Sequence, residues 1–226
     1  MQKFLTARWK DLIMANYEVD PSILIPRLPA GTELDLQDGK CFVSLVGFMF
    51  LDTRVLGIPI PFHVNFEEVN LRFYNKREVD GETRRAVCFV KEIVPRFAIA
   101  TVARVMYGEP YECWTMSHER TETTVSYDWS KGGSTNHLSV DIGESIGVPA
   151  AGSHGEFIIE HYWLHQTRRL TRRRIQGRAS KMGTILGQER RYRCRFRRYV
   201  RRRVRISRRT EAVFGLAGKR FGGCGL

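Results

Sequence analysis

Phe66-Glu67-Glu68-Val69-Asn70-Leu71-Arg72-Phe73-Tyr74 decides the architecture. Val69, Leu71 and Phe73 alternate with Asn70 and Arg72, and an alternation of period two is the mark of a β-strand with two unlike faces. At spacing two, Glu68, Asn70 and Arg72 share one face. If that face lines a lumen, Glu68 and Arg72 either pair with each other or hold a carboxylate ligand through the guanidinium fork. If it faces water, they are an ordinary solvated ion pair.

Similar signals lie on both sides. Residues 41–51 are rich in Phe and Val. Residues 86–90 are short and apolar, 123–129 and 138–142 alternate, and 157–163 follow Gly155. Turn markers separate them, among them Asp80-Gly81 and Gly132-Gly133-Ser134. A helix is expected over 96–106, stopping at Gly108-Glu109-Pro110. Another is expected at the N-terminus, where Leu5, Trp9, Leu12 and Ile13 recur at helical spacing and Asp20-Pro21 ends the run. Many strands at short spacing with two helices predict a mainly β (α+β) fold built on an antiparallel sheet or barrel.

The chain has 226 residues, enough for one sizeable core. It has no apolar run of about 18 residues, so no membrane-spanning helix is expected. Met1-Gln2-Lys3-Phe4-Leu5-Thr6 is followed by no apolar secretory core, so a cytoplasmic protein without a signal peptide is expected. Cys41, Cys88, Cys113, Cys194 and Cys224 are an odd, widely spaced set and read as free thiols.

The net charge of +13 hides two unlike pieces. Residues 1–163 carry a net −6 and residues 164–226 a net +19, with 19 arginines among the last 63 residues. The expected division is therefore a β domain over 1–163 and an arginine-rich tail over 164–226. At face value the tail would bind nucleic acid through phosphates, without sequence preference and with strong salt dependence.

Five stretches carry a resemblance. They are Asn16-Tyr17-Glu18-Val19-Asp20-Pro21, Leu28-Pro29-Ala30-Gly31-Thr32, the 66–74 strand, Ala103-Arg104-Val105-Met106-Tyr107-Gly108-Glu109-Pro110-Tyr111, and Glu160-His161-Tyr162-Trp163. Together they resemble the YqjF-like conserved hypothetical proteins of the acetoacetate-decarboxylase-like superfamily. The resemblance implies an antiparallel β-barrel with an interior cavity and a small organic ligand. It also implies where a Schiff-base lysine would stand, directly after a Gly-x-Pro turn. Here that turn is followed by Tyr111 and Glu112, which form no imine, and the nearest lysine is Lys91 in another segment. The decarboxylase mechanism is not expected to carry over.

The candidate ligand-binding residues are therefore Glu68, Asn70, Arg72, Tyr107, Tyr111 and His161. Tyr107 and Tyr111 flank the turn and either line the cavity or pack in the core. His161 is either a general base or a histidine hydrogen-bonded in place. His161 and His165 have no third ligand in register, so no metal is expected. No phosphate loop or nucleophile elbow occurs, so no cofactor is expected. No motif sets an oligomeric state.

After Trp163 the resemblance stops, where Gly-Tyr-Thr would continue it. Codons compatible with 164–166, 175–182 and 192–207, read one base to the right, give strings that look like the family's last strands. A codon ending in C before one starting with G also creates the arginine triplet CGN. The tail is thus expected to be translated out of frame and disordered, leaving the barrel incomplete.

Overall fold

The computed structural model describes residues 5–143 and 149–161, with the backbone at 163–164 and 205–206. In chain order the strands are β1 Leu5–Val19, β2 Glu33–Leu34, β3 Cys41–Val55, β4 Ile58–Pro59, β5 Phe66–Val79 and β6 Glu82–Val94. Then come β7 Tyr111–Cys113, β8 Thr115–Arg120, β9 Thr124–Lys131, β10 Ser134–Asp141, β11 Trp163–Leu164 and β12 Arg205–Ile206. The α-helices are α1 Phe97–Val102 and α2 His154–Ile159. No helix among the described residues is long and apolar enough to cross a membrane.

One sheet runs in the order β1-β3-β5-β6-β11, with β2 beside β5, β4 beside β3 and β7 beside β6. A second runs β12-β10-β9-β8. The main ladders are antiparallel, as the alternation predicts. The ladders do not run on into a closed ring among the described residues.

The hydrophobic core lies between the two sheets. Ile13, Val43, Leu45, Val69, Leu71 and Phe73 meet Val125, Tyr127, Trp129, Leu138 and Val140 there. Gly47 makes the approach possible. A Cβ at that position would stand 2.7 Å from Tyr127 Cδ2, and the Tyr127 hydroxyl donates to the Asp11 carbonyl at 2.9 Å. Among the described residues Cys41, Cys88 and Cys113 form no disulfide. Cys194 and Cys224 lie outside the described residues.

The N-terminal helix is not there: the segment is β1, paired along β3. Asp11, at φ 50°, sits in a bulge where three steps on β1, Lys10 to Ile13, oppose two on β3, Met49 to Gly47. A bulge resets the alternation. Ile13 therefore faces the core, while Trp9 packs on Phe48 and Phe50 on the other face. Apolar residues four apart on opposite faces of a bulged strand mimic a helical stripe.

The strand expected over 157–163 is likewise mostly helix, with only Trp163–Leu164 pairing as a strand. Ser153 caps α2 by accepting from Glu156 N at 3.3 Å, and Gly152 N donates to the Glu156 carboxylate at 2.6 Å. This is the Ser-x-x-Glu signature of a helix start.

The helix expected over 96–106 is present as α1 running into a π-helical turn, Ala103–Tyr107, closed by Gly108 in the left-handed region. The tail lies outside the described residues apart from the backbone at Leu164 and Arg205–Ile206.

Candidate functional site

The face of the large sheet turned away from the core carries the polar side chains. Register places Phe48 beside Glu68, Val46 beside Asn70 and Ser44 beside Arg72 on one flank of β5. Glu92 stands opposite Asn70 on the other. Glu68, Asn70, Arg72 and Glu92 are all buried. Burying four such groups on one sheet face is costly unless each is paired, so their partners decide what the face does.

Two covers lie over this face. At one end α2 packs Phe157 and Ile158 onto Phe42, Tyr74 and Val87. At the other, Tyr111 and the helix residues Ile99 and Ala100 pack near Phe50, Phe66 and Val94. Asn70 and Arg72 stand between them on β5.

At the Tyr111 end the groups are tied together. The Tyr111 hydroxyl donates to Glu68 Oε2 at 2.9 Å, and Asn70 Nδ2 donates to Glu68 Oε1 at 2.8 Å. Burial pushes Glu68 up to about 7 against the help of those two donors, with Glu109 adding repulsion. Burial and the charges of Glu68 and Glu109 push Glu92 well above the usual carboxylate range. Burial and the same carboxylates raise the Tyr111 phenol, so it stays a donor. Burial and mutual repulsion thus keep Glu68, Glu92 and Tyr111 from being ionised together.

Among the described residues, three buried atoms on this face have no hydrogen-bond partner: Asn70 Oδ1, Arg72 Nε and Glu92 Oε2. Arg72 makes no ion pair among the described residues. Of the two arrangements open for Glu68 and Arg72, the direct bridge is not formed.

The α2 end is a separate network. His161 Nδ1–H donates to the Phe157 carbonyl at 2.6 Å, and Nε2 lies 2.9 Å from Asp35 Oδ2. Arg85 Nε is 3.2 Å from the same carboxylate oxygen, and Arg85 also reaches Glu160 at 2.9 Å. Burial of Asp35 is outweighed by the His161 bond and the charges of His161, Arg85 and Lys76, which hold it below the usual range. The His161 ring packs edge-on against Tyr74 and Phe157. Tyr74 stands six residues from Glu68, about 20 Å along the strand. Tyr74, Ser44 and Asn16 continue the polar line by hydrogen bonds.

The structure thus brings together Glu68, Asn70 and Tyr111, sets Arg72 beside them with its Nε unpartnered among the described residues, and places His161 in the other network. Tyr107 ends the π-helical turn, and its side chain lies outside the described residues. Glu92, Asp35 and Ser44 are members that sequence reasoning missed. Glu92 had a signal, being an acid within the apolar run that ends Lys91-Glu92-Ile93-Val94. Lys91 pairs with Leu71 and so points to the core face, where it meets Glu112 at 3.0 Å. Burial of Glu112 is outweighed by the Trp114 indole N–H and by Lys91 and Lys131, which lower it to about 2. Among the described residues no three His, Cys, Asp or Glu side chains gather as a metal site requires.

Comparison with known proteins agrees with this architecture. The model of the DUF2071 family, described as "Uncharacterized conserved protein", matches residues 6–182, so the match continues past Trp163, where the sequence reading ended the resemblance. YqjF of Bacillus subtilis (strain 168), an uncharacterized protein, is 29% identical over 120 residues, covering 53% of this chain and 48% of YqjF. The solved acetoacetate decarboxylase of Legionella pneumophila matches with a TM-score of 0.51 at 16% identity, over 70% of this chain and 54% of that one. The enduracididine biosynthesis enzyme MppR matches with a TM-score of 0.48 at 18% identity, over 62% of this chain and 56% of that one. The chain spans about half the length of the relatives it matches. The likeness to the decarboxylase shows a shared fold.

Proposed function

The chain belongs to the DUF2071 family of uncharacterized conserved proteins, and on that premise we propose that it binds a small organic acid on the polar face of its large sheet, without an imine. The observation that carries this reading is the set of three buried atoms unpartnered among the described residues, Asn70 Oδ1, Arg72 Nε and Glu92 Oε2. Each unmet buried polar group costs about 1–3 kcal/mol. Three on one strip of sheet make sense when something else supplies the partners.

Their chemistry defines the ligand class. Arg72 Nε–H donates to a carboxylate oxygen. Asn70 Oδ1 accepts from a hydroxyl or an enol. Glu92, held protonated, donates to a carbonyl or hydroxyl oxygen. A short carboxylic acid carrying an oxygen substituent meets all three. The shared fold with a decarboxylase of a keto acid points the same way, as an analogy.

The test is calorimetric titration of the full chain with butyrate, 2-oxobutyrate and neutral butyramide. The carboxylates should bind, 2-oxobutyrate more tightly, and butyramide should not. Arg72→Gln should weaken carboxylate binding by ten-fold or more. No carboxylate binding, or binding unchanged in Arg72→Gln, would overturn the reading.

A further inference from the structure

We infer that Glu68, Tyr111 and Glu92 form a proton-exchange unit that enolises a bound keto acid directly, in place of imine chemistry. This rests on the reading of the same face as a carboxylate site and goes beyond it, from binding to reaction.

The roles follow from hydrogen-bond accounting. Glu68 receives two protein donors, the Asn70 amide at 2.8 Å and the Tyr111 hydroxyl at 2.9 Å. Both favour its ionised form. Tyr111 has a single hydrogen, and it is committed to Glu68. Glu92 stands across the ladder from Asn70, is buried, has an unpartnered Oε2, and feels the charges of Glu68 and Glu109. Tyr111 also lies within reach of Glu92 and favours its ionised form, but the one phenol hydrogen is donated to Glu68, and burial with the two neighbouring charges outweighs that contact at Glu92. The pair is therefore split into a base, Glu68, and an acid, Glu92, which is how two carboxyl groups take opposite roles in one site. The unpartnered Asn70 Oδ1 and Arg72 Nε on the same face point to a ligand beside them.

The reaction balances without a co-reactant. The carboxylate of Glu68 takes a proton from the carbon next to the substrate carbonyl. The C–H electron pair becomes the new C=C bond, and the carbonyl π pair moves to oxygen. That oxygen takes the proton of Glu92. The products are an enol, a neutral Glu68 and an ionised Glu92, and reversal restores the ketone. Tyr111 holds Glu68 in place and occupies the position after the Gly-x-Pro turn. The substrate class is a short 2-oxo or 3-oxo acid with a hydrogen next to its carbonyl, its carboxylate on Arg72.

The test is loss of the C3 methylene proton signal of 2-oxobutyrate in D2O, followed by NMR with the full chain. Wild type should exchange about 10²-fold or more above buffer, the range of positioned acid–base catalysis. Glu92→Gln should bring exchange down about 10²-fold, and Tyr111→Phe should lower it less. Protein treated with 2-oxobutyrate and borohydride together, then freed of both, should exchange fresh 2-oxobutyrate at the untreated rate. A wild-type rate equal to buffer while butyrate still binds overturns the proposal and leaves the binding reading standing. Inactivation by borohydride also overturns it. Loss of butyrate binding itself would instead remove the reading on which it rests.

Discussion

The Tyr111 hydroxyl donates to Glu68 Oε2 at 2.9 Å across 43 residues of sequence. In the resembling decarboxylases, a lysine would stand just after the turn that Tyr111 follows here. A phenol carries no amine and so forms no imine, and burial together with its carboxylate neighbours keeps this one protonated. Sodium borohydride with acetoacetate should therefore leave the intact mass of the chain unchanged. A mass increase equal to a reduced imine, mapped to Lys91 or any other lysine, would contradict that.

The buried acids set the response to pH. Glu68 sits at about 7 in the folded chain against an ordinary 4.5. Between those values the folded state holds a proton that the unfolded state has lost, so stability falls as pH rises. Glu92 shifts the same way. The difference at Glu68 is worth at most about 3 kcal/mol. His154, lowered by burial, works in the opposite direction below its ordinary 6.5. Asp35 and Glu112 are depressed and matter only in more acid solution. Subtracting the Glu68→Gln/Glu92→Gln variant isolates the acids. Its denaturant midpoint should change less than that of wild type between pH 5 and 8, and should exceed it at pH 8. Parallel curves would count against buried, protonated carboxyls.

Gly47 lets the two sheets meet. Gly47→Ala places a methyl 2.7 Å from a Tyr127 ring that is fully buried and anchored through its hydroxyl. The ring has no room to retreat, so destabilisation of about 1–3 kcal/mol is expected from urea unfolding. An unchanged midpoint would mean the sheets do not pack this closely.

His161→Ala should act on stability. It leaves the buried Asp35 with only Arg85 and Lys76, neither of them buried, and removes the ring between Tyr74 and Phe157. A loss of about 3 kcal/mol or more is in the range for breaking a buried pair. Butyrate affinity should stay within about two-fold. A large loss of affinity with stability intact would put His161 in the ligand site.

The arginine-rich tail makes a prediction about the gene. Resequenced DNA, read one base to the right after the Trp163 codon, should remain open through the codons of 164–207. Stop codons early in that frame would contradict translation out of frame, and salt-sensitive nucleic-acid binding by the full chain would then become the reading to pursue.

Several of these features were legible before any coordinates. β5 carries no bulge of its own between residues 66 and 74, so its alternation showed directly that Glu68, Asn70 and Arg72 share a face. The turns at Asp80-Gly81 and Gly132-Gly133 were equally plain, because successive positive φ angles favour those residues. β1 was misread because Asp11 breaks its alternation. α2 was misread because three β-prone residues outweighed a capping signature four residues earlier. Glu92 was overlooked because a single acid in an apolar strand reads as an edge. The His161 network depends on Asp35, 126 residues away, and no local pattern reveals such a partner.

The most direct test is a crystal structure of the full chain grown with 2-oxobutyrate. The account predicts the ligand on the polar face of the large sheet, its carboxylate within about 3 Å of Arg72 Nε and its carbonyl oxygen against Glu92. A ligand bound elsewhere, or a ligand-free site with Asn70 Oδ1, Arg72 Nε and Glu92 Oε2 all paired to protein, would contradict it.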